Sequence, residues 1–330
     1  MMKKLTYIGM LLSTVLMSGC GSGTEDDWQQ AEGMIWNTEY HITYKGSPEL
    51  KDSVLRVLEN VGKSLNVFDD KSLVSVVNRQ DSTPVNYDFI KVYTSSQKIY
   101  RVTDGAFDPT LEPLIKAWGF GRGHKATADT ARVDSLMAFV GLNKTHLRMD
   151  ALVKDDPRIE FNFSAIAKGY GCDRVGEMLS GNGVSDWLVE IGGEVAAKGK
   201  SPSGSKWKVG VDKPVFQRNT IVHDPACIVE FTDLGMATSG NYRNFLSGTD
   251  GATYGHTISA KTGRPVQTDV ISATVIARTC MDADALATSF MATGSATAQR
   301  LSKSLRLPVM LVLADSTIWT SEQFDKMLMK

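Results

Sequence analysis

Strand patterns in this chain are grouped into hairpins, with helical patterns between some of the groups, and this order constrains the fold more than any other feature. Apolar or alternating runs typical of strands occupy residues 40–44, 158–163, 187–191, 207–211, 227–231, 270–277 and 308–313. Helical periodicity covers residues 51–67, 87–103, 164–179 and a segment from Ala283. The order predicts an α+β fold with mixed, largely antiparallel sheets and packed helices.

Size and charge exclude several classes of protein. With 330 residues and 42% hydrophobic content, the chain can bury a large core as one long domain or two close lobes. Its formal net charge of −1 gives no electrostatic reason to expect a nucleic-acid partner. No G-x-G-x-x-G motif opens a helix after a strand, so the sequence does not predict a Rossmann fold.

The amino terminus has the pattern of a bacterial lipoprotein signal. Lys3 and Lys4 precede an apolar run over residues 5–17, which is too short to span a bilayer comfortably and ends at Ser18, Gly19 and Cys20. We therefore expect a signal peptide over residues 1–20, lipid on Cys20, a flexible tether over 21–30 and the folded domain over 31–330. The protein is expected to be anchored in a membrane and to face the periplasm; an ordinary cleaved secretory signal is the alternative.

Three further cysteines, Cys172, Cys227 and Cys280, can form at most one disulfide with each other. Their spacing does not fit a metal cluster, and we expect them to be small buried apolar residues.

Asp284 and Thr288 are four residues apart, directly after an apolar strand pattern. On a helix this spacing places both side chains on one face, where their oxygens can bind a hard cation such as Mg²⁺. A helical Asp near the amino terminus beside a solvated or back-bonded Thr would have the same pattern.

Further motifs follow one another along the chain, and each is ambiguous alone. They are GAFDPT at 105–110, SAIAKGY at 164–170, EIGGE at 190–194, TSGNYR at 238–243, GHTI at 255–258 and TGRP at 262–265. Ser164 is a candidate helix cap, and a helix amino terminus with Lys168 nearby suits a phosphate. The glycine pairs are typical of turns in any large domain.

In their order and spacing, the motifs resemble the ApbE family, the FAD:protein FMN transferases. The resemblance covers residues 31–330 and implies an ApbE-like, T-fold-like architecture. It implies Mg²⁺-dependent transfer of FMN from FAD to a Ser or Thr hydroxyl of a partner protein, with release of AMP. The partner would be a membrane or periplasmic redox protein. A metal-dependent FAD pyrophosphatase and a lipid-anchored protein that binds FAD without cleaving it remain alternatives.

The resemblance also assigns residues to roles. It implies catalytic roles for Asp284 and His256. It implies metal contacts for Ala165, through its carbonyl, and for Asp284, Ala287 and Thr288. It implies FAD contacts for Trp36, Phe68, Ala106, Phe107, Asp108, Asn162, Lys168, Gly192, Gly193, Glu194, Ser239, Gly240, His256 and Ile258. In these roles Phe68 stacks on the isoalloxazine, Asp108 accepts from the ribose or base, and His256 faces the pyrophosphate.

The chain departs from the family pattern at several of these positions. Asn162 stands where the family usually has Asp, and an amide supplies no charge to draw in a metal. Trp36 and Asn37 replace a usual Met-Gly pair, and Phe68 replaces a frequent Tyr. A phenyl ring stacks as well as a phenol, so we expect the change at Phe68 to cost little affinity.

Overall fold

The computed structural model describes residues 28–120, 129–212, 225–240, 245–247, 253–255 and 257–329. The strands are β1 (Trp28–Ile35), β2 (Thr38–Lys45), β3 (Ser82–Pro84), β4 (Thr145–Arg148), β5 (Ala151–Lys154), β6 (Trp187–Ile191), β7 (Glu194–Lys198), β8 (Trp207–Asp212), β9 (Pro225–Phe231), β10 (Leu234–Gly240), β11 (Phe245–Ser247), β12 (Thr253–Gly255), β13 (Val270–Ala277), β14 (Val309–Leu313) and β15 (Ile318–Thr320). The helices are α1 (Leu50–Leu65), α2 (Leu73–Asn78), α3 (Tyr87–Val102), α4 (Glu112–Ala117), α5 (Thr130–Met137), α6 (Ala167–Gly181), α7 (Cys280–Thr293), α8 (Ser295–Leu305) and α9 (Glu322–Asp325), with a 3-10 turn at Leu142–Lys144.

An eight-stranded sheet in the order β1-β2-β6-β7-β10-β13-β14-β15 forms the centre of the fold. Each neighbouring pair in this sheet is antiparallel. Smaller sheets pair β3-β5-β4, β8-β9 and β11-β12. The α+β prediction with largely antiparallel sheets is confirmed.

Both faces of the central sheet are covered, because successive residues of a strand point to opposite faces. On β10, Ala237 belongs to the main core with Phe290 of α7. Its neighbour Met236 belongs to a separate core with Trp207 of β8 and Phe324 of α9. This double coverage explains why the apolar run of β13 is almost continuous rather than alternating.

Most elements lie close to the predicted positions, but residues 158–163 do not form a strand. Only an isolated parallel bridge between Leu111 and Glu160 occurs there. The amide of Phe161 donates to Asn78 Oδ1 over 2.7 Å, and that of Asn162 donates to the Pro109 carbonyl over 2.7 Å. These donors are satisfied by a side chain and a loop, which leaves no regular ladder for a strand.

Residues 28–30, predicted as part of the tether, belong to β1, which begins at Trp28 and pairs with β2 over its whole length. The signal peptide, Cys20 and the rest of the tether lie outside the described residues, and their assignments stay predictions. No helix in the described part of the chain is both long and apolar enough to cross a bilayer. Cys172 and Cys280 are buried free thiols, as predicted, whereas Cys227 is half-buried.

Candidate functional site

A cavity of about 890 Å³ lies where β7 and β10 meet the first turn of α6 and one face of α7. This volume is within the range of small-molecule sites, roughly 300–1,000 Å³. The cavity brings together most of the residues that the sequence assigned to FAD and metal. The predicted residues that line it are Phe68, Ala106, Phe107, Asp108, Asn162, Ala165, Lys168, Gly192, Gly193, Glu194, Ser239, Gly240, Ile258, Asp284 and Thr288.

Helix α7 presents Asp284 and Thr288 to the cavity from one face, as their spacing predicted. The helix begins at Cys280, three residues before the predicted start at Ala283, because Thr279 caps it by accepting from the Asp282 amide over 3.1 Å. The Thr288 hydroxyl lies 3.1 Å from that of Ser239 on β10. Asp284 is only 3% exposed, so its carboxylate lies at the floor of the cavity.

Helix α6 begins at Ala167, and the predicted cap at Ser164 is wrong. The amides of Ile166 and Ala167 donate to the Phe163 carbonyl, which forms a turn that delays the helix. The amide of Gly169, in the first helical turn, donates instead to Asp284 Oδ2 over 3.1 Å. Asp284, which lies on a helix distant in the chain, therefore caps α6 in place of Ser164.

A compact charge cluster joins these helices to β7. The Lys168 ammonium forms an ion pair with Glu194 Oε1. Glu194 is almost fully buried, and its Oε2 atom has no hydrogen-bond partner among the described residues. One ammonium thus faces two carboxylates, those of Glu194 and Asp284, and a buried acceptor is left unpaired. An unpaired buried oxygen is unfavourable in the absence of a ligand.

The surroundings shift the pKa values of all three groups. Burial raises the pKa of Asp284, although the Lys168 ammonium and the Gly169 amide oppose the shift. Burial likewise raises the pKa of Glu194, with Lys168 opposing and Asp284 adding to the rise. Burial disfavours the charged form of Lys168, but Glu194 and Asp284 outweigh it and raise the pKa of Lys168. The cluster keeps its ammonium charged and makes both carboxylates stronger bases than usual.

Asn162 links the cavity wall to a buried carboxylate. Its side-chain Nδ2 donates to Glu112 Oε2 over 2.7 Å, and its Oδ1 accepts from the Ser164 amide over 2.8 Å. Burial raises the pKa of Glu112, while the bond from Asn162 and the charge of Lys116 lower it. The amide therefore uses both its donor and its acceptor in holding the turn that carries Ala165.

Asp108 lies in the cavity wall, but both of its oxygens have partners within the protein. Oδ1 accepts from the amide and the hydroxyl of Thr110, over 2.8 Å and 2.6 Å, and Oδ2 accepts from the Leu142 amide over 3.1 Å. The carboxylate fixes the loop after α3 in place. A contact with the ribose or base, as predicted, would be additional to these bonds.

The glycine turn between β6 and β7 has a backbone that few other residues adopt. Gly192 has φ of 61° and Gly193 has φ of 99°. The Gly193 amide donates to Glu190 Oε1 over 2.9 Å, and the other oxygen of Glu190 lies 2.7 Å from His41 Nδ1. The turn thus borders the cavity without a Cβ at either glycine.

Three predicted residues are not placed at the cavity. The Trp36 indole packs between α1 and α6, since a Cβ at Gly62 or Gly171 would lie 2.7 Å from it, and the ring is absent from the cavity wall. Trp36 and Asn37 form the β1-β2 turn with φ of 49° and 63°, so Asn replaces the family's glycine in a left-handed conformation. The Ala287 side chain is fully buried in the main core. His256 lies outside the described residues.

The sequence did not identify a second part of the cavity wall. It comprises Leu111, Ile115 and Phe120 around α4, and Gly210, Val211 and Asp212 at the end of β8. A glycine inside a strand pattern that ends in Asp was a usable signal for β8. The apolar residues of α4 have no signal of their own, because they resemble any core-facing helix.

The sequence and the structure match known proteins over nearly their whole length. The model of the ApbE family matches residues 36–311. A FAD:protein FMN transferase of Vibrio cholerae serotype O1 is 32% identical over 320 residues, 93% of this chain and 93% of that protein. A FAD:protein FMN transferase of Escherichia coli K12 is 30% identical over 348 residues, 98% of this chain and 97% of that protein.

Solved structures agree with these matches. The flavin transferase ApbE from Vibrio cholerae has a TM-score of 0.80 at 30% identity and covers 91% of this chain and 100% of that chain. The apbe protein of Thermotoga maritima, at 22% identity and a TM-score of 0.80, covers 92% of this chain and 100% of that chain and shows the shared fold alone. From the matched family model, the identity to these relatives and the common fold, it follows that this chain belongs to the ApbE family.

Proposed function

We propose that this chain is an Mg²⁺-dependent FAD:protein FMN transferase, which moves FMN from FAD to a Ser or Thr hydroxyl of a partner protein and releases AMP. Its membership of the ApbE family and its identity of about 30% to enzymes of that name support the proposal. The observation that carries it is the cluster of Lys168, Glu194 and Asp284 beside the amino terminus of α6. This cluster lies inside a cavity large enough for a cofactor.

Oxygen atoms in the cavity wall, together with the charge of the cluster, fit a bound Mg²⁺. Among the described residues no three His, Cys, Asp or Glu side chains form a metal-binding group, so a metal must rely on other oxygens as well. Asp284 and Thr288 offer such oxygens from one helix face, and Ala165 in the same wall offers its carbonyl. Once both carboxylates are ionised, they exceed the single ammonium by one charge, which favours a cation. When bound, Mg²⁺ would polarise the phosphate nearest the flavin and offset charge on the departing AMP.

The protein's own groups supply the remaining steps. The Lys168 ammonium stays charged and provides a point charge for the pyrophosphate. In the transfer, the acceptor oxygen bonds to the phosphorus of FMN, the bond from that phosphorus to the oxygen of AMP breaks, and the hydroxyl loses its proton. Asp284, whose carboxylate lies in the cavity wall, would accept this proton.

We also propose that lipid on Cys20 anchors the enzyme to a membrane, where it faces the periplasm and modifies a membrane or periplasmic redox protein. The two lysines, the short apolar run and the small residues before Cys20 support this.

A test of the proposal does not require the acceptor to be identified. The purified protein, FAD and Mg²⁺ are incubated with envelope proteins from a strain of the source organism that lacks this gene, and the products are separated on a denaturing gel. A fluorescent flavin band that survives denaturation supports the transferase. Release of FMN and AMP without such a band indicates a pyrophosphatase, and intact FAD indicates a binding protein only.

A further inference from the structure

The first turn of α7 is held by a carboxylate from α6. Asp173 Oδ1 accepts from the Cys280 amide over 2.9 Å, and Asp173 Oδ2 accepts from the Met281 amide over 2.8 Å. The next amide, that of Asp282, is capped locally by Thr279. The first four amides of a helix have no partner within the helix, and here two of them are satisfied by one carboxylate.

The reverse contact also exists, so each helix caps the other. Asp284 of α7 accepts from the amide of Gly169 in the first turn of α6, over 3.1 Å. Asp173 lies one helical turn beyond Gly169. Two carboxylates, one on each helix, therefore tie the amino-terminal turn of the opposite helix.

The two helices approach each other very closely where these bonds form. A Cβ added at Gly169 would lie 2.4 Å from the Cys280 carbonyl oxygen and 2.9 Å from the Cβ of Asp284. The distance between α6 and α7 is therefore set by two features, the backbone contact at Gly169 and the hydrogen bonds of Asp173. Among the described residues, Asp173 is the partner on α6 for the amides of Cys280 and Met281, the first two of α7.

The geometry points to Asp173 as a positioning residue of the flavin site, which sets the separation of α6 and α7 and thereby aligns Asp284 and Thr288 with Lys168. Asp173 is not among the residues that line the cavity, so it acts through its two bonds and not by touching a ligand. The inference rests on the proposed function only in taking FAD as the ligand of the cavity.

A matched control exists on the same helix end. Thr279 caps α7 as well, but its partner is the Asp282 amide in the same helix, so its removal weakens the helix start without breaking the link to α6. Replacing a Thr cap by Ala typically lowers the stability of the protein. Comparing Thr279→Ala with Asp173→Ala therefore distinguishes destabilisation of α7 from displacement of α7 relative to α6.

The experiment compares full-length wild-type protein, Asp173→Ala, Asp173→Asn and Thr279→Ala. FAD binding is titrated by flavin fluorescence, and urea unfolding is measured on the same samples. Burial raises the pKa of Asp173 to about 7, so both measurements are made at pH 8, where its carboxylate is ionised.

We expect Asp173→Ala to weaken FAD binding about tenfold, because two charge-assisted bonds to α7 are lost. Asp173→Asn keeps one acceptor and should recover part of the affinity. Thr279→Ala should lower the stability and leave the FAD affinity within about twofold of wild type.

The inference is overturned if Asp173→Ala binds FAD like the wild type, or if Thr279→Ala weakens binding as much as Asp173→Ala does. Should Asp173→Ala fail to fold, Asp173→Asn decides by the same comparison. Failure of the wild-type protein to bind FAD at all would instead contradict the proposed function and leave the role of Asp173 in joining α6 to α7 unaffected.

Discussion

The side-chain amide of Asn162 donates a hydrogen bond of 2.7 Å to the buried carboxylate of Glu112, at a position where the ApbE family usually has an aspartate. In this chain the amide is a donor that the neighbouring carboxylate requires. A carboxylate at position 162 would face Glu112 directly, and two such groups cannot both stay ionised at low cost.

We therefore predict that Asn162→Asp lowers FMN transfer at pH 8, because repulsion from Glu112 displaces the turn that carries Ala165. The double variant Asn162→Asp with Glu112→Gln should regain most of the activity, since the glutamine amide can then donate to the new carboxylate. Initial rates of both variants at saturating FAD, with Glu112→Gln alone as the control, test this. A rise in activity or a lower half-maximal Mg²⁺ concentration in Asn162→Asp alone would show that this chain lacks a carboxylate for metal recruitment.

Asp284→Asn should abolish detectable FMN transfer while the protein stays folded. The amide oxygen can still accept from the Gly169 amide, but it supplies neither the negative charge nor the base that the proposed reaction uses. Thr288→Val should reduce the rate less, because it removes only a neutral hydroxyl. Turnover is measured at limiting Mg²⁺, with circular dichroism as the control for folding. Near wild-type turnover by Asp284→Asn would disprove the assignment of this carboxylate.

Lys168→Met should destabilise the protein, and more so at pH 8 than at pH 6. Without the ammonium, the folded-state pKa values of Glu194 and Asp284 rise further above their unfolded values. A group with a raised folded pKa contributes stability that is present at low pH and lost as the pH rises through that pKa. The Lys168 side chain is 34% exposed, so we expect a loss of about 2 kcal/mol at pH 8, between the values for surface and buried pairs.

Urea unfolding at the two pH values measures this effect. Lys168→Met with Glu194→Gln should be less destabilised than Lys168→Met alone and should show a weaker dependence on pH. A loss in Lys168→Met that is equal at both pH values would contradict the arrangement of charges described for the cluster.

Cys20→Ser should move the protein from the membrane fraction to the soluble fraction, because one lipid-bearing thiol is the proposed anchor. Fractionation followed by immunoblotting tests this, with Cys227→Ser as a matched cysteine control that should stay with the membrane. Retention of Cys20→Ser in the membrane fraction would indicate a different anchor.

Features that depend on local spacing could be predicted from the sequence. The spacing of Asp284 and Thr288 placed both on one helix face, and the apolar run at 270–277 matched β13 residue for residue. Local patterns failed where the partner is distant in the chain. The start of α6 depends on Asp284, and the start of α7 depends on Asp173 as well as on the local cap Thr279. The side-chain amide of Asn162 is held by Glu112. A side chain that caps a helix more than 100 residues away leaves no periodic signal.

Trp36 is a further case in which residues distant in the chain decide the position of a side chain. Its position in place of the Met of the family's usual Met-Gly pair suggested a role in the cavity, but the indole occupies the space beside Gly62 and Gly171, between two helices. Only the packing of α1 against α6 reveals that space, and neither glycine is near Trp36 in the chain.

The ratio of AMP released to flavin bound covalently to protein shows directly whether the enzyme transfers FMN. The purified enzyme is incubated with FAD, Mg²⁺ and envelope proteins that lack this enzyme. AMP is measured by chromatography, and covalent flavin by its absorbance in acid-precipitated protein. We expect one covalently bound FMN for each AMP, and neither product with Asp284→Asn. AMP matched by free FMN in solution, with no flavin on the precipitated protein, would contradict it.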